Sequence, residues 1–172
     1  MPPLRTAARA LAAGLALALA PLAGAAATPA PTPTASAPST PPGFFGTQDP
    51  TFDGAYRQGL ALLALRSGGR EPAEESVALL VEQQCADGGW TAYRADPGVP
   101  CDAATEDSNS TGMALQALAY IGGREEAVRK GLAWFTRVQN ADGGFGYNPG
   151  GASDANSTAL VVSALVAAEQ EP

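Results

Sequence analysis

One pattern occurs twice in this chain and limits what it can fold into. Gln84-Cys85-Ala86-Asp87-Gly88-Gly89-Trp90 is followed, after a gap, by Glu106-Asp107-Ser108-Asn109-Ser110-Thr111. Further on, Gln139-Asn140-Ala141-Asp142-Gly143-Gly144-Phe145 is followed by Ser153-Asp154-Ala155-Asn156-Ser157-Thr158. Each copy has an amphipathic run before it and an alanine-rich apolar run after it. The repeating unit is therefore helix, Gly-Gly-aromatic turn, loop, Asn-Ser-Thr cap, helix, which is the signature of a helical-repeat architecture.

The pattern predicts five helices and an all-α fold. The first spans about 54–66, capped by Asp53 and ended by Gly68-Gly69. Its centre, Leu60 to Leu65, is apolar on every side, which predicts burial all round. The second spans about 72–84, with Pro72 and the acids Glu71, Glu74 and Glu75 suiting a helix start. Val77, Leu80, Val81 and Gln84 share one face of it. The third spans about 108–121, capped by Asp107 or Ser108 and stopped by Gly122-Gly123. The fourth spans about 125–139, with Val128, Leu132, Phe135 and Val138 as a stripe at helical spacing. The fifth spans about 155–168 and, like the first, shows no polar face. Inner and outer helices thus alternate. Stacked pairs of this kind form a solenoid or a closed ring.

The turn residues have readings that stay open. Gln84 and Gln139 offer amides that can bond backbone groups at a helix end. The pairs Gly88-Gly89 and Gly143-Gly144 permit positive φ and a tight reversal. Trp90 and Phe145 can fold back as repeat glue, or present faces for ligand stacking. The Asn-Ser-Thr triplets can cap inner helices. They also match the N-glycosylation acceptor pattern, at a place where an inner helix enters the core. If the capped ends share one mouth, Asp107, Asn109, Asp154 and Asn156 form a polar rim able to bind a ligand, with Trp90, Tyr93, Phe145 and Tyr147 as aromatic candidates.

Upstream of the repeats the composition changes. Residues 1–25 hold Arg5 and Arg9, an uninterrupted Ala/Leu/Gly run and the small-x-small site Ala23-Gly24-Ala25, which reads as a secretory signal peptide. Residues 26–46 are rich in Pro, Thr and Ala and read as a linker; the repeat domain is expected over 47–172. Removing the leader leaves eight basic against seventeen acidic residues, a charge of −9 instead of −7. So acidic a chain is a poor partner for nucleic acid or anionic membrane. There is no histidine, which excludes Ser-His-Asp chemistry and histidine-containing metal sites; no metal site is expected. Cys85 and Cys101 are the two cysteines, and in an exported protein they are expected to pair. The disulfide would close a loop of about 16 residues, worth roughly 3 kcal/mol on chain-entropy grounds.

At these residues the chain resembles the terpenoid cyclase and protein prenyltransferase superfamily. Its repeat motif runs basic, small, two others, aromatic, aliphatic, three others, Gln, then Gly-x-Trp. Lys130-Gly131-Leu132-Ala133-Trp134-Phe135 leads through Gln139 to Gly143-Gly144-Phe145, with Phe for the aliphatic and for the final Trp. The earlier copy keeps Gln84 and Gly88-Gly89-Trp90 but has Glu75-Ser76 where the motif wants basic-small. The resemblance covers about 52–168, extends to secreted bacterial prenyltransferase/squalene oxidase repeat proteins, and implies an α/α toroid, of which five helices are an incomplete array. The Asp-x-Asp-Asp acid motif of squalene-cyclase-type enzymes is absent. So are the histidine of the prenyltransferase zinc site and the Gly-Cys-Gly-Glu-Gln run of thioester domains. Asp102, Glu106 and Asp107 are the only candidates for a catalytic acid. Asp107 to Leu118 is similar to the inner-helix pattern of intrinsic-factor and transcobalamin-type proteins, which implies a corrinoid as a possible ligand.

Three functions follow as expectations. The chain is an exported, non-catalytic module for a small hydrophobic or cofactor-like ligand or a surface partner; or an extracytoplasmic isoprenoid cyclase; or a corrinoid binder. The array stops where an outer helix should follow. Leu60, Leu62 and Leu63 on one flank and Leu160, Val162, Leu165 and Val166 on the other are therefore expected to be exposed, and further repeats or self-association to cover them.

Overall fold

The computed structural model describes residues 42–47, 49 and 53–169. The expected signal peptide and all but the end of the expected linker lie outside the described residues. Among the described residues there are five α-helices: α1 (Ala55–Ser67), α2 (Glu74–Glu82), α3 (Ser108–Ile121), α4 (Glu125–Val138) and α5 (Ala155–Ala167). One 3-10 turn, Ala103–Thr105, precedes α3. The fold is all-α. No helix among the described residues is long and apolar enough to cross a membrane.

α3 is the central element, packed along α1 on one side and α5 on the other, while α2 lies against α1 and α4 against α3. Its sequence suits that place. Thr111 through Leu115, Ala117 and Leu118 are all buried, and its small residues let neighbours approach. Gly112 faces the backbone of Leu160 on α5, and Gly59 of α1 faces the backbone of Met113, with too little room for a Cβ at Gly59. α4 sets Phe135 in the core with Val128, Leu132 and Val138 packed beside it, as its stripe requires.

α1 and α5 are not buried all round. Leu62 and Val161 have no exposure, but Leu60 is 50% and Val166 60% exposed, and Val162 is exposed as well. The reason is positional: each has an inner neighbour on one flank only. Leu63, Leu160 and Leu165 are half-buried. Asp53 does not cap α1; Gly54 holds the N-cap position with no side-chain bond. The Asp53 carboxylate instead accepts the N–H groups of Thr47 and Asp49 and pairs with Arg57 at 2.7 Å. It thereby fastens the segment before α1. That segment is held a second time by buried Gln58, whose amide donates to the carbonyls of Gly43 and Ser76 and accepts Phe45 N–H. α2 begins at Glu74, after an extended Ala73.

The two turns superpose bond for bond. In the first, Gln84 Nε2 donates to Gly88 O, Cys85 N to Gly89 O and Gly88 N to Cys85 O. In the second, Gln139 Nε2 donates to Gly143 O, Asn140 N to Gly144 O and Gly143 N to Asn140 O. The aromatic then meets the next helix. Trp90 N–H donates to Thr111 Oγ1 at 2.9 Å, and Phe145 N–H to Thr158 Oγ1 at 3.0 Å. Asp107 N–H returns to Trp90 O and Asp154 N–H to Phe145 O. The threonine of each Asn-Ser-Thr triplet therefore closes the turn, and the preceding aspartate caps the helix, through Ser110 N–H or Ser157 N–H.

Only the first glycine of each pair has positive φ, +109° at Gly88 and +83° at Gly143. The second is needed for space. A Cβ at Gly144 would sit 2.6 Å from Ser153 Oγ, and one at Gly89 would collide with Glu106 Oε2 and the Trp134 indole. Cys85 and Cys101 form the disulfide, with Cα atoms 5.6 Å apart, and staple the longer of the two loops.

Candidate functional site

The N-terminal ends of α1, α3 and α5 open onto one cavity of about 270 Å³. Asp107, Asn109 and Ser110 line it from α3, Tyr56 and Arg57 from α1, Asn156 and Leu160 from α5, and Asp53, Ala92 and Tyr147 from the adjoining loops. Tyr147 is placed there by its own backbone, because its carbonyl accepts the N–H of Ser108 at 2.8 Å. Asn148 donates to Glu106 O and fixes the same loop against α3.

Two oxygen atoms distinguish this cavity. Asp107 is 1% exposed; its Oδ1 accepts Ser110 N–H at 2.7 Å. Its Oδ2, and Asn109 Oδ1 beside it in sequence, are buried and accept no hydrogen bond from the protein. Buried polar atoms are satisfied in the great majority of cases, and a buried oxygen without a donor costs about 1–3 kcal/mol. Burial raises the Asp107 carboxyl above its ordinary value, against the opposing pull of the Ser110 and Asn109 N–H groups. The Tyr147 hydroxyl is also raised, first by burial and then by the negative charge of Asp107. Two of the residues that line the mouth thus carry buried, unmet acceptors, and two exposed tyrosines, Tyr56 and Tyr147, line it as well.

Of the residues expected from sequence, the structure brings Asp107, Asn109, Tyr147 and Asn156 together here. Asp154 caps α5 and does not line the cavity. Trp90 and Phe145 are buried and show no face to a ligand. The Trp90 indole donates to Leu80 O, and Phe145 packs edge-on against Phe135. Tyr93 lies in a separate cleft beside Val99 and Cys101. Sequence reasoning did not find Tyr56, Arg57 and Ser110. The available signal was register: Tyr56 and Arg57 stand in the first turn of α1, as Ser110 does in α3.

The candidate acids separate as well. Asp102 is exposed and caps the 3-10 turn through Ala104 N–H. Glu106 is buried, and its Oε2 accepts the Trp134 indole N–H at 2.5 Å. Its carboxyl is pushed up to about 7, chiefly by burial and then by the charge of Asp87, against the indole bond. Glu106 lines a second cleft, of about 530 Å³, beneath the stapled loop.

Compared with known proteins, the chain matches no family model and no curated protein.

Proposed function

We propose that the chain is an exported, non-catalytic helical-repeat module of the α/α-toroid type that binds a small polar ligand at the mouth formed by α1, α3 and α5. One observation carries this reading: two residues that line a shared cavity, Asp107 and Asn109, each hold a buried acceptor, Oδ2 and Oδ1, with no partner in the protein. A ligand that supplies N–H or O–H donors satisfies both. At about 270 Å³ the cavity suits a metabolite rather than a corrinoid macrocycle, since pockets for drug-sized ligands run to roughly 300–1,000 Å³. Tyr56 and Tyr147 would flank a flat or apolar part of such a ligand. The resemblance to the terpenoid cyclase and prenyltransferase superfamily supports the toroid, and the capped Asn-Ser-Thr ends of the inner helices support the mouth as the site.

The test is an amide-resolved NMR titration with a mixture of ammonium- and amide-bearing fragments. Shifts should concentrate on Asn109, Ser110, Tyr147 and Asn156, and Asn109→Ala should weaken the best fragment about tenfold, the loss of one good hydrogen bond. Shifts scattered over the surface, or unchanged affinity in Asn109→Ala, would remove the reading.

Glu106 favours a second reading, an isoprenoid cyclase. A proton donor must be shielded and poised near the working pH; Glu106 and Asp107 are both buried, raised and beside a cleft, and Glu106 is pushed up to about 7. Incubation with squalene and with geranylgeranyl diphosphate decides it: a cyclised product lost in Glu106→Gln supports the enzyme, and no product ends it.

A further inference from the structure

Beneath the stapled loop, three potential ligands meet. The sulfurs of Cys85 and Cys101 and a carboxylate oxygen of Glu106 all lie within 4.8 Å of one another. Cys85 and Glu106 are buried and Cys101 is half-buried. With the disulfide closed, neither sulfur is a thiolate, and Glu106 is a buried acid held by the Trp134 indole. With it open, the same positions hold two thiols and a carboxylate. A tetrahedral zinc with Zn–S bonds of about 2.3 Å sets its two sulfurs about 3.8 Å apart, so the sulfurs, joined in the disulfide, must separate by about 2 Å while the Glu106 oxygen stays within 4.8 Å of both positions. We propose that reduction of Cys85–Cys101 turns this cluster into a site for a borderline-soft divalent cation, zinc above all, with Cys85, Cys101 and Glu106 as ligands.

The chemistry balances with a dithiol reductant. Its thiolate attacks one sulfur of the disulfide, its second thiol resolves the mixed disulfide, and two electrons and two protons pass to Cys85 and Cys101. The reductant leaves as its own disulfide. Zinc then displaces the two thiol protons, and the Glu106 carboxyl proton where it is present. Access exists on two sides, because Cys101 lines both the cleft shared with Glu106 and the cleft shared with Tyr93. Asp87 also lines the first cleft, where Arg137 pairs with it at 3.5 Å. Thiolates with a carboxylate suit zinc and cobalt better than calcium or magnesium, which prefer all-oxygen sites. Zinc would hold the 85–101 loop closed in place of the covalent bond.

The test uses the full chain, treated anaerobically with a phosphine or dithiol reductant, cleared of it, and titrated with cobalt(II). One equivalent should produce a thiolate-to-cobalt charge-transfer band in the near ultraviolet, displaced by zinc. The disulfide-intact chain should show no band. Glu106→Gln should keep the sulfurs but weaken cobalt at least tenfold. If the reduced chain melts at a lower temperature, zinc should restore the oxidised chain's melting temperature, because a ligand that binds only the folded form stabilises it. Absence of the band and of the thermal recovery overturns the proposal. So does a band equally strong in Glu106→Gln, which would mean that two thiols bind metal without this geometry.

Discussion

Replacing Thr111 by Val keeps the shape of the side chain and removes its hydroxyl. That hydroxyl accepts the N–H of Trp90 at 2.9 Å, and neither Thr111 nor Trp90 has measurable exposure. No cavity is created, so the cost is that of one buried donor left without an acceptor, about 1–3 kcal/mol. Trp90 O is not orphaned, because it still accepts Asp107 N–H at 3.1 Å. The same replacement at Thr158 removes the equivalent bond to Phe145 N–H, at 3.0 Å. Thr158 is only half-buried, so water can take the place of its hydroxyl and the loss should stay below about 1 kcal/mol. For an ordered region of this size, 1 kcal/mol moves the melting temperature by about 3–5 °C. At about 2 kcal/mol, the middle of that range, Thr111→Val should therefore melt about 6–10 °C below the parent, and Thr158→Val only a few degrees below it, by far-ultraviolet circular dichroism. If Thr158→Val costs as much as Thr111→Val, burial does not set the cost, and the hydrogen bonds at the two turns are not what holds them.

Three further outcomes are expected. In the disulfide-intact chain, with chelator present, stability should fall as pH rises through the window between the ordinary glutamate value of 4.5 and about 7, because folded Glu106 holds its proton where the unfolded chain releases it; melting temperatures measured across that window should fall less in Glu106→Gln, which keeps the raised Asp107, than in the parent. Gly144→Ala should be destabilised by collision with Ser153 and substantially rescued by Ser153→Gly, whereas a conformational cause would leave the double variant no better. Gly143→Ala, where φ is +83° with open space around it, should cost about 1 kcal/mol from backbone strain alone and gain nothing from Ser153→Gly; chemical-denaturation cycles over the three single and two double variants and the parent measure all of this.

Much of the fold was legible because the repeat states its own geometry. α3 runs from Ser108 to Ile121 as read, since an aspartate that caps and a glycine with positive φ flank it. What the sequence did not show is set by distant contacts. Asp53 looks like a cap, yet the N–H groups of Thr47 and Asp49 take its carboxylate. Gly144 looks like its neighbour Gly143, yet its constraint comes from Ser153 across the loop. α5 is as apolar as α3, but apolarity does not say how many neighbours a helix has.

The candidate site shows the same division. Asp107 and Asp154 stand at equivalent points of the two copies, each capping its helix through Oδ1. Yet burial raises the carboxyl of Asp107, while the bonds from Ser157 lower that of Asp154. Only the surroundings differ. The end of α3 lies between those of α1 and α5, so both oxygens of its aspartate are shut away from water; the end of α5 has one inner neighbour, and Asp154 is exposed. A cap uses one carboxylate oxygen. At the exposed copy the other is open to solvent, and at the central copy it is buried with no donor from the protein. The same capping aspartate therefore carries an unmet acceptor in the copy that is flanked on both sides, which no reading of a single copy reveals.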